Sequence, residues 1–125
     1  MEEELTKVIV AGGRDFNDRD LLFSTLDGMF TYGDDMLPSG VEIVSGAARG
    51  ADSLAIDWAV VNWVPLKEFP ANWAKYGRAA GPIRNREMAE YADELVAFWD
   101  GTSHGTQHMI ETAEAMDMPV RIVSY

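Results

Sequence analysis

Three glycine-rich bends constrain this chain more than any other feature, because each falls where a run of β-branched residues gives way to a helical pattern. The first, Gly12-Gly13-Arg14-Asp15-Phe16, follows Lys7–Ala11 (KVIVA). The second, Ser45-Gly46-Ala47-Ala48-Arg49-Gly50-Ala51-Asp52, follows Val41–Val44, and the third, Gly101-Thr102-Ser103-His104-Gly105-Thr106, follows Glu94–Trp99. After the first bend the apolar positions Leu22, Leu26, Met29 and Phe30 keep helical spacing from about Asp18, with Asn17 as the expected N-cap. Ala51 to about Asn62 is helical, Pro65–Phe69 is a weaker strand, and Pro82-Ile83 opens a helix reaching about Ala92, since proline suits a first helical turn. Gly105–Met116 is a further helix and Pro119–Val123 a last strand. Gly33–Gly40 (GDDMLPSG) reads as a surface turn and Pro70–Gly81 as irregular.

Strand and helix thus alternate with no hairpin signal. That pattern predicts an α/β chain: a three-layer domain with a mainly parallel sheet of about five strands and helices on both faces. Right-handed crossovers then gather the strand-to-helix bends along one edge of the sheet. With 125 residues and neither repeat nor linker, the expectation is one domain over 1–125.

Composition removes several classes of function. The chain has no cysteine, which excludes disulfides, thiolate nucleophiles and Cys-based metal centres. Ten basic against 21 acidic residues give a net charge of −11, which repels a phosphate backbone and argues against nucleic acid as the main partner. Met1-Glu2-Glu3-Glu4 has the wrong sign for a secretory signal and no apolar run could span a bilayer, so a cytoplasmic location is expected.

The bends themselves suit an anion. Glycine lets the backbone approach a ligand closely, and the helix start that follows offers unpaired N–H groups and a partial positive charge. Of the ten basic residues, Arg14, Arg49, Lys75, Arg78, Arg84 and Arg86 lie in or beside the bends and the irregular segment. Guanidinium groups grip phosphate in a bidentate manner, although pairing with surface carboxylates would also use them. If Arg49 makes such a charge-assisted contact, its removal should weaken binding by roughly 1.5–3 kcal/mol. Trp73 and Tyr76 could stack on a base or ribose, or Trp73 could cover the end of the core. Trp58 and Trp63, on or just after a helix, fit the core or a subunit contact better than a ligand platform. Asp15, Asp52 and Asp100 end up at the loop edge as candidate acids, bases or ribose-hydroxyl acceptors, and Asp52 could equally cap its helix. His104 and His108, spaced i, i+4 beside Asp100, raise a metal site, but no HExxH pattern and no third strong ligand accompany them, so neither metal nor cofactor is expected.

Val8–Phe16 (VIVAGGRDF), Ile43–Ala55 (IVSGAARGADSLA), Ala71–Met88 (ANWAKYGRAAGPIRNREM) and Leu95–Thr106 (LVAFWDGTSHGT) resemble the YspA/YpsA-related branch of the SLOG superfamily. The resemblance covers nearly the whole chain and implies a Rossmann-like fold with a nucleotide-ligand site on the loop edge. It also implies distant kinship with the Lonely-guy phosphoribohydrolases, the DNA-processing protein A family and domains sensing ADP-ribose-type signals, and suggests a homodimer. Gly13, Arg14 and Asp15 match the branch's first loop, and Ser45, Gly46, Arg49, Gly50 and Asp52 its second. Arg84 and Asn85 match its Pro-Ile-Arg-Asn segment, and Gly101, Ser103, Gly105 and Thr106 its last loop. Gly12, Trp73 and Thr102 complete the expected ligand-binding set. The phosphoribohydrolases end that last loop in PGGxGTxxE with a catalytic glutamate. Here Met109 occupies that position, and Glu111, two residues later, turns to another helical face.

Two readings follow. In the first, the protein binds a nucleotide or nucleotide-derived ligand (ADP-ribose-like, NAD-like or a nucleoside phosphate) as a sensing, sequestering or processing protein. In the second, it is a phosphoribohydrolase or N-glycosidase in which Asp15 and Asp52 replace the missing glutamate as catalytic groups.

Overall fold

The computed structural model describes residues 4–31 and 37–125. Five strands, β1 (Thr6–Gly12), β2 (Val41–Ser45), β3 (Leu66–Glu68), β4 (Glu94–Trp99) and β5 (Val120–Ser124), form one sheet in the order β3-β2-β1-β4-β5. Every pairing is parallel. Ile9 of β1 stands beside Val44 of β2 on one side and Leu95 of β4 on the other. The expected α/β architecture is therefore present, with the sheet wholly parallel rather than mainly so.

The pattern of buried residues explains this arrangement. Central parallel strands need apolar residues on both faces, and the four consecutive residues Val8–Ala11 of β1 are all buried. Val8 and Val10 join Ile43, Val96 and Phe98 in a core beneath helices α1 (Arg19–Phe30) and α2 (Ala51–Val61). Ile9 and Ala11 join Val44, Leu95 and Ala97 beneath α4 (Ala80–Tyr91) and α5 (His104–Ala115). Trp58 belongs to the first core, fully buried, with its indole N–H donating to Asp27 Oδ1 at 3.0 Å. Trp63 is 87% exposed.

The element boundaries differ locally from the sequence expectations. The α1 N-cap is Asp18, not Asn17: its carboxylate accepts from the Leu21 N–H at 3.0 Å, which the residue before it cannot reach. The segment 70–81 is more ordered than its composition suggests. It contains a one-turn helix α3 (Trp73–Tyr76), capped by Asn72, and a 3-10 turn (Gly77–Ala79) that runs straight into α4. Helix α4 starts at Ala80, two residues before Pro82, which the first turn tolerates because N–H groups there have no intrahelical acceptor. Of the turn expected over 33–40, residues 33–36 lie outside the described residues, and 37–40 form an irregular approach to β2.

The sheet topology also places the site. The chain winds outward from β1 through β2 to β3, then returns through α3 and α4 to lay β4 on the other side of β1. Strand order reverses between β1 and β4, and in open parallel sheets the crevice beyond the carboxyl ends of such strands is where ligands bind.

Candidate functional site

A hollow of about 620 Å³ opens at that reversal point, within the size range of small-molecule sites. The loop after β1 contributes Gly12, Gly13, Arg14 and Asp15, and the loop after β4 contributes Asp100, Ser103, His104, Gly105 and Thr106. Ala48 and Asp52 reach in from the second bend, Trp73 from α3, and Arg84, Asn85 and Met88 from α4. A smaller hollow of about 250 Å³ adjoins it, with Gly46, Ala47, Pro70 and Ala71 in its lining. Arg14, Ala48, Trp73 and Arg84 border both hollows.

The three bends play different parts. At Gly12 a β-carbon would stand 2.6 Å from Ala51 Cβ and 2.7 Å from the Phe98 carbonyl oxygen, so glycine lets β1 pass close between α2 and β4. The second bend turns mostly away from the hollow. Gly50 has φ +80°, and a β-carbon there would overlap the Gly13 carbonyl. That carbonyl accepts the Ala51 N–H at 3.3 Å, which closes the start of α2. Ser45 is fully buried, donating to the Asp52 carbonyl at 3.1 Å and accepting from the Ala47 N–H at 3.2 Å.

The third bend leaves its helix open. Asp100 Oδ1 accepts from the N–H groups of Thr102 (2.9 Å) and Ser103 (2.8 Å), which hold its carboxyl below the usual carboxylate range. Ser103 makes no side-chain cap; its hydroxyl pairs with that of Thr106 at 3.2 Å. The first helical bond runs from the Gln107 N–H to the Ser103 carbonyl, so the amides of His104, Gly105 and Thr106 precede it at the rim of the hollow. Gly101 and Thr102 are exposed and line neither hollow.

The charged groups divide in the same way. Arg84 is held by the carbonyls of Gly46 and, at 3.5 Å, Phe69, and by Asn85 Oδ1 at 3.1 Å. Arg14 lies over the Trp73 ring at 5.6 Å. Arg49 is exposed and lines neither hollow, because Gly50 turns the backbone toward Gly13 immediately after it. Lys75, Arg78 and Arg86 are also exposed and outside both. Among the described residues the sole salt bridge joins Arg19 to Asp57, so none of these cations is within salt-bridge distance of a described carboxylate.

Like Asp100, the other two candidate aspartates each accept a hydrogen bond. Asp52 is 6% exposed, and burial pushes its carboxyl up to about 6, against the opposing pull of the Ala48 N–H (3.2 Å to Oδ2), Arg84 and Arg14. Asp15 is exposed and accepts from the Tyr125 hydroxyl at 3.2 Å. Burial, the Asp15 charge and that hydrogen bond push the Tyr125 phenol up to about 12, so it stays a donor. His104 and His108 line the hollow beside Asp100, and among the described residues no group of three or more His, Cys, Asp or Glu converges as a metal cluster. Met109 is buried in the wall of the hollow.

Sequence reasoning missed His108 and Met88 as lining residues of the hollow and Tyr125 as the partner of Asp15. The spacing of His108 from His104 marked it only as a possible metal ligand, and Tyr125 meets Asp15 across 110 positions, where no local pattern could link them.

A model of the YspA, cpYpsA-related SLOG family matches residues 6–76, more than half of the chain. The chain belongs to this family. The Gene 61 protein of Mycobacterium phage D29 is 33% identical over 125 residues, covering 93% of this SLOG chain and 94% of the phage protein. DNA processing protein A from Streptococcus pneumoniae superposes with a TM-score of 0.76 at 18% identity, covering 97% of this chain and 51% of that one. DNA processing protein A from Helicobacter pylori gives 0.65 at 15% identity, covering 98% and 66%. This SLOG chain thus spans about half of the first and two-thirds of the second, and at these identities the likeness is one of fold. The Helicobacter pylori protein binds single-stranded DNA, which sits against the charge-based expectation of no nucleic-acid partner. Among the described residues no helix is long and apolar enough to cross a membrane.

Proposed function

We propose that the hollow holds a nucleotide or nucleotide-derived ligand, with its phosphate between the open start of α5 and the guanidinium groups of Arg14 and Arg84. The observation that carries this reading is the convergence of the first and third glycine bends with these two arginines on one cavity at the strand-order reversal. Amides that precede the first helical bond favour an anion, and the two guanidinium groups on the cavity wall can grip its oxygens in a bidentate manner. Such a protein would sense, sequester or process its ligand.

Thermal-shift and calorimetric titrations with AMP, ribose 5-phosphate and ADP-ribose test it. A ligand at a hundred times its Kd stabilises the fold by about 2.7 kcal/mol, so a rise in melting temperature is expected for at least one of them. Arg14→Ala should weaken that binding by about 1.5–3 kcal/mol, while Arg49→Ala, outside the hollow, should leave it within about 0.5 kcal/mol of wild type. No shift with any of the three would overturn the reading.

One feature favours turnover as a second reading. A buried carboxyl with its proton held to about pH 6 suits a general acid acting near neutrality, and Asp52 stands in the wall of the hollow. Free base released from nucleoside monophosphates or NAD, and lost in Asp52→Asn and Asp15→Asn, would establish an N-glycosidase. Binding without product leaves a binding protein. The fold shared with the Helicobacter pylori protein also makes single-stranded DNA a partner to test. With a net charge of −11, binding weaker than about micromolar at physiological salt is expected.

A further inference from the structure

The carboxamide of Asn85 has two distinguishable ends, and its surroundings identify both. Its Oδ1 faces Arg84 Nε at 3.1 Å, a group that can only donate, and its Nδ2 faces the Gly105 carbonyl at 3.4 Å, a group that can only accept. The two partners agree on the orientation of this buried amide. Its nitrogen also lies 3.1 Å from His108 Nδ1. An amide nitrogen donates and does not accept, so Nδ1 must supply the lone pair. A neutral imidazole whose Nδ1 is an acceptor carries its proton on Nε2. The Thr112 hydroxyl, 3.5 Å from Nδ1, sends its own proton to the His108 carbonyl at 2.7 Å and leaves that assignment unchanged.

We infer that His108 is a ligand-contacting residue of the hollow, offering its Nε2–H to an oxygen of a phosphoryl group, and that Asn85 is the positioning residue that fixes this tautomer. The inference rests on the nucleotide-binding reading. The half-buried ring lines the hollow one helical turn beyond the open amides of His104–Thr106, and Nε2 has no hydrogen-bond partner among the described residues. Arg84, Asn85 and His108 form a chain in which the N–H groups run the same way, guanidinium to carboxamide oxygen and carboxamide nitrogen to imidazole, and the imidazole at its end lines the hollow. Donors at that end of the hollow select a group that only accepts, as a phosphate oxygen does.

Nitrogen-15 NMR of the ligand-free protein at neutral pH reads the tautomer directly and should show the proton on His108 Nε2. In Asn85→Asp the new carboxylate accepts rather than donates, so the proton should move to Nδ1. With AMP as the probe, the His108 Nε2–H signal should shift on binding, and His108→Ala and His108→Phe should each lose about tenfold in affinity while melting as cooperatively as wild type. A proton on Nδ1 in the ligand-free wild type, or unchanged AMP affinity in either folded His108 variant, would overturn the inference. A wild type that binds none of AMP, ribose 5-phosphate and ADP-ribose would overturn the nucleotide reading and the ligand contact with it, and if AMP alone fails the same titration is read with whichever of the other two binds; the ligand-free tautomer signal tells that failure apart from a failure of the relay itself.

Discussion

Gly50 and Asp52 show how single residues on the second bend govern the site without facing a ligand in the same way. Gly50 takes φ +80° with its α-carbon pressed against the first loop, a conformation a side chain resists. Gly50→Ala should therefore cost about 2–3 kcal/mol in urea unfolding, and it should displace Gly13 and Arg14, so ligand affinity should fall with stability. A fully stable, fully binding Gly50→Ala would remove the close packing of these two loops from the account. Asp52 makes a prediction in pH. Its carboxyl titrates near 6 in the folded protein, against an ordinary value of 3.8. Below about pH 4 both folded and unfolded states hold the proton; between 4 and 6 the folded state holds it more tightly. Stability from this group is therefore complete in acid and is lost as pH rises through 6, a span worth about 3 kcal/mol. Asp52→Asn keeps an acceptor for the Ala48 N–H and removes the titration. Unfolding free energies measured from pH 4 to 7 should show wild type losing stability relative to this variant as pH rises; parallel curves would mean that Asp52 titrates normally.

At the level of elements, the sequence read strands and long helices well because each rests on local apolar spacing. Val8–Ala11 and Leu95–Phe98 could hardly be anything but central strands, since no surface segment carries four consecutive buried residues. The short helix α3 was not legible: four residues hold too few apolar positions to set a period, and all four are exposed. The site divides along the same line. Arg14, Asp15, Ser103 and Thr106 were legible because their bends lie directly beyond strands that flank the order reversal. Arg49 was misplaced because its position depends on the backbone turn at Gly50, which sequence spacing does not encode. His108 and Asn85 were connected only by the packing of α4 on α5. Within α3, Trp73 is 49% exposed, yet its ring borders both hollows under the Arg14 guanidinium. An exposed indole bordering the proposed phosphate site suits base stacking, worth about 1–3 kcal/mol per base. Trp73→Ala should then weaken AMP by that amount in calorimetry and leave ribose 5-phosphate, which has no base, unchanged. Equal losses for both ligands would make Trp73 a wall of the cavity rather than a platform.

The whole molecule carries a large excess of acidic charge. Its 21 acidic residues against ten basic ones leave −11 on a chain of 125 residues, and Asp20, Glu68, Glu87, Glu90, Glu111 and Glu114 are all exposed. The one salt bridge among the described residues, Arg19–Asp57 at 3.3 Å, joins two half-exposed side chains and is worth little. Repulsion among like charges therefore outweighs the pairing that salt would weaken, and the compact state bears more of it than the unfolded chain. At about 10 mM ionic strength charges interact over roughly 30 Å, which is comparable to the size of such a domain; at about 150 mM the range falls to roughly 8 Å. Adding sodium chloride across that interval should accordingly raise the melting temperature of the ligand-free protein by a few degrees, with the gain levelling off once the range is shorter than the spacing of neighbouring carboxylates. Potassium chloride should act alike, since screening depends on ionic strength and not on a particular cation. A melting temperature that is flat or falling over this range would mean that attractive contacts among the surface charges match the repulsion, and the acidic surface would then need no separate term in the stability of this fold.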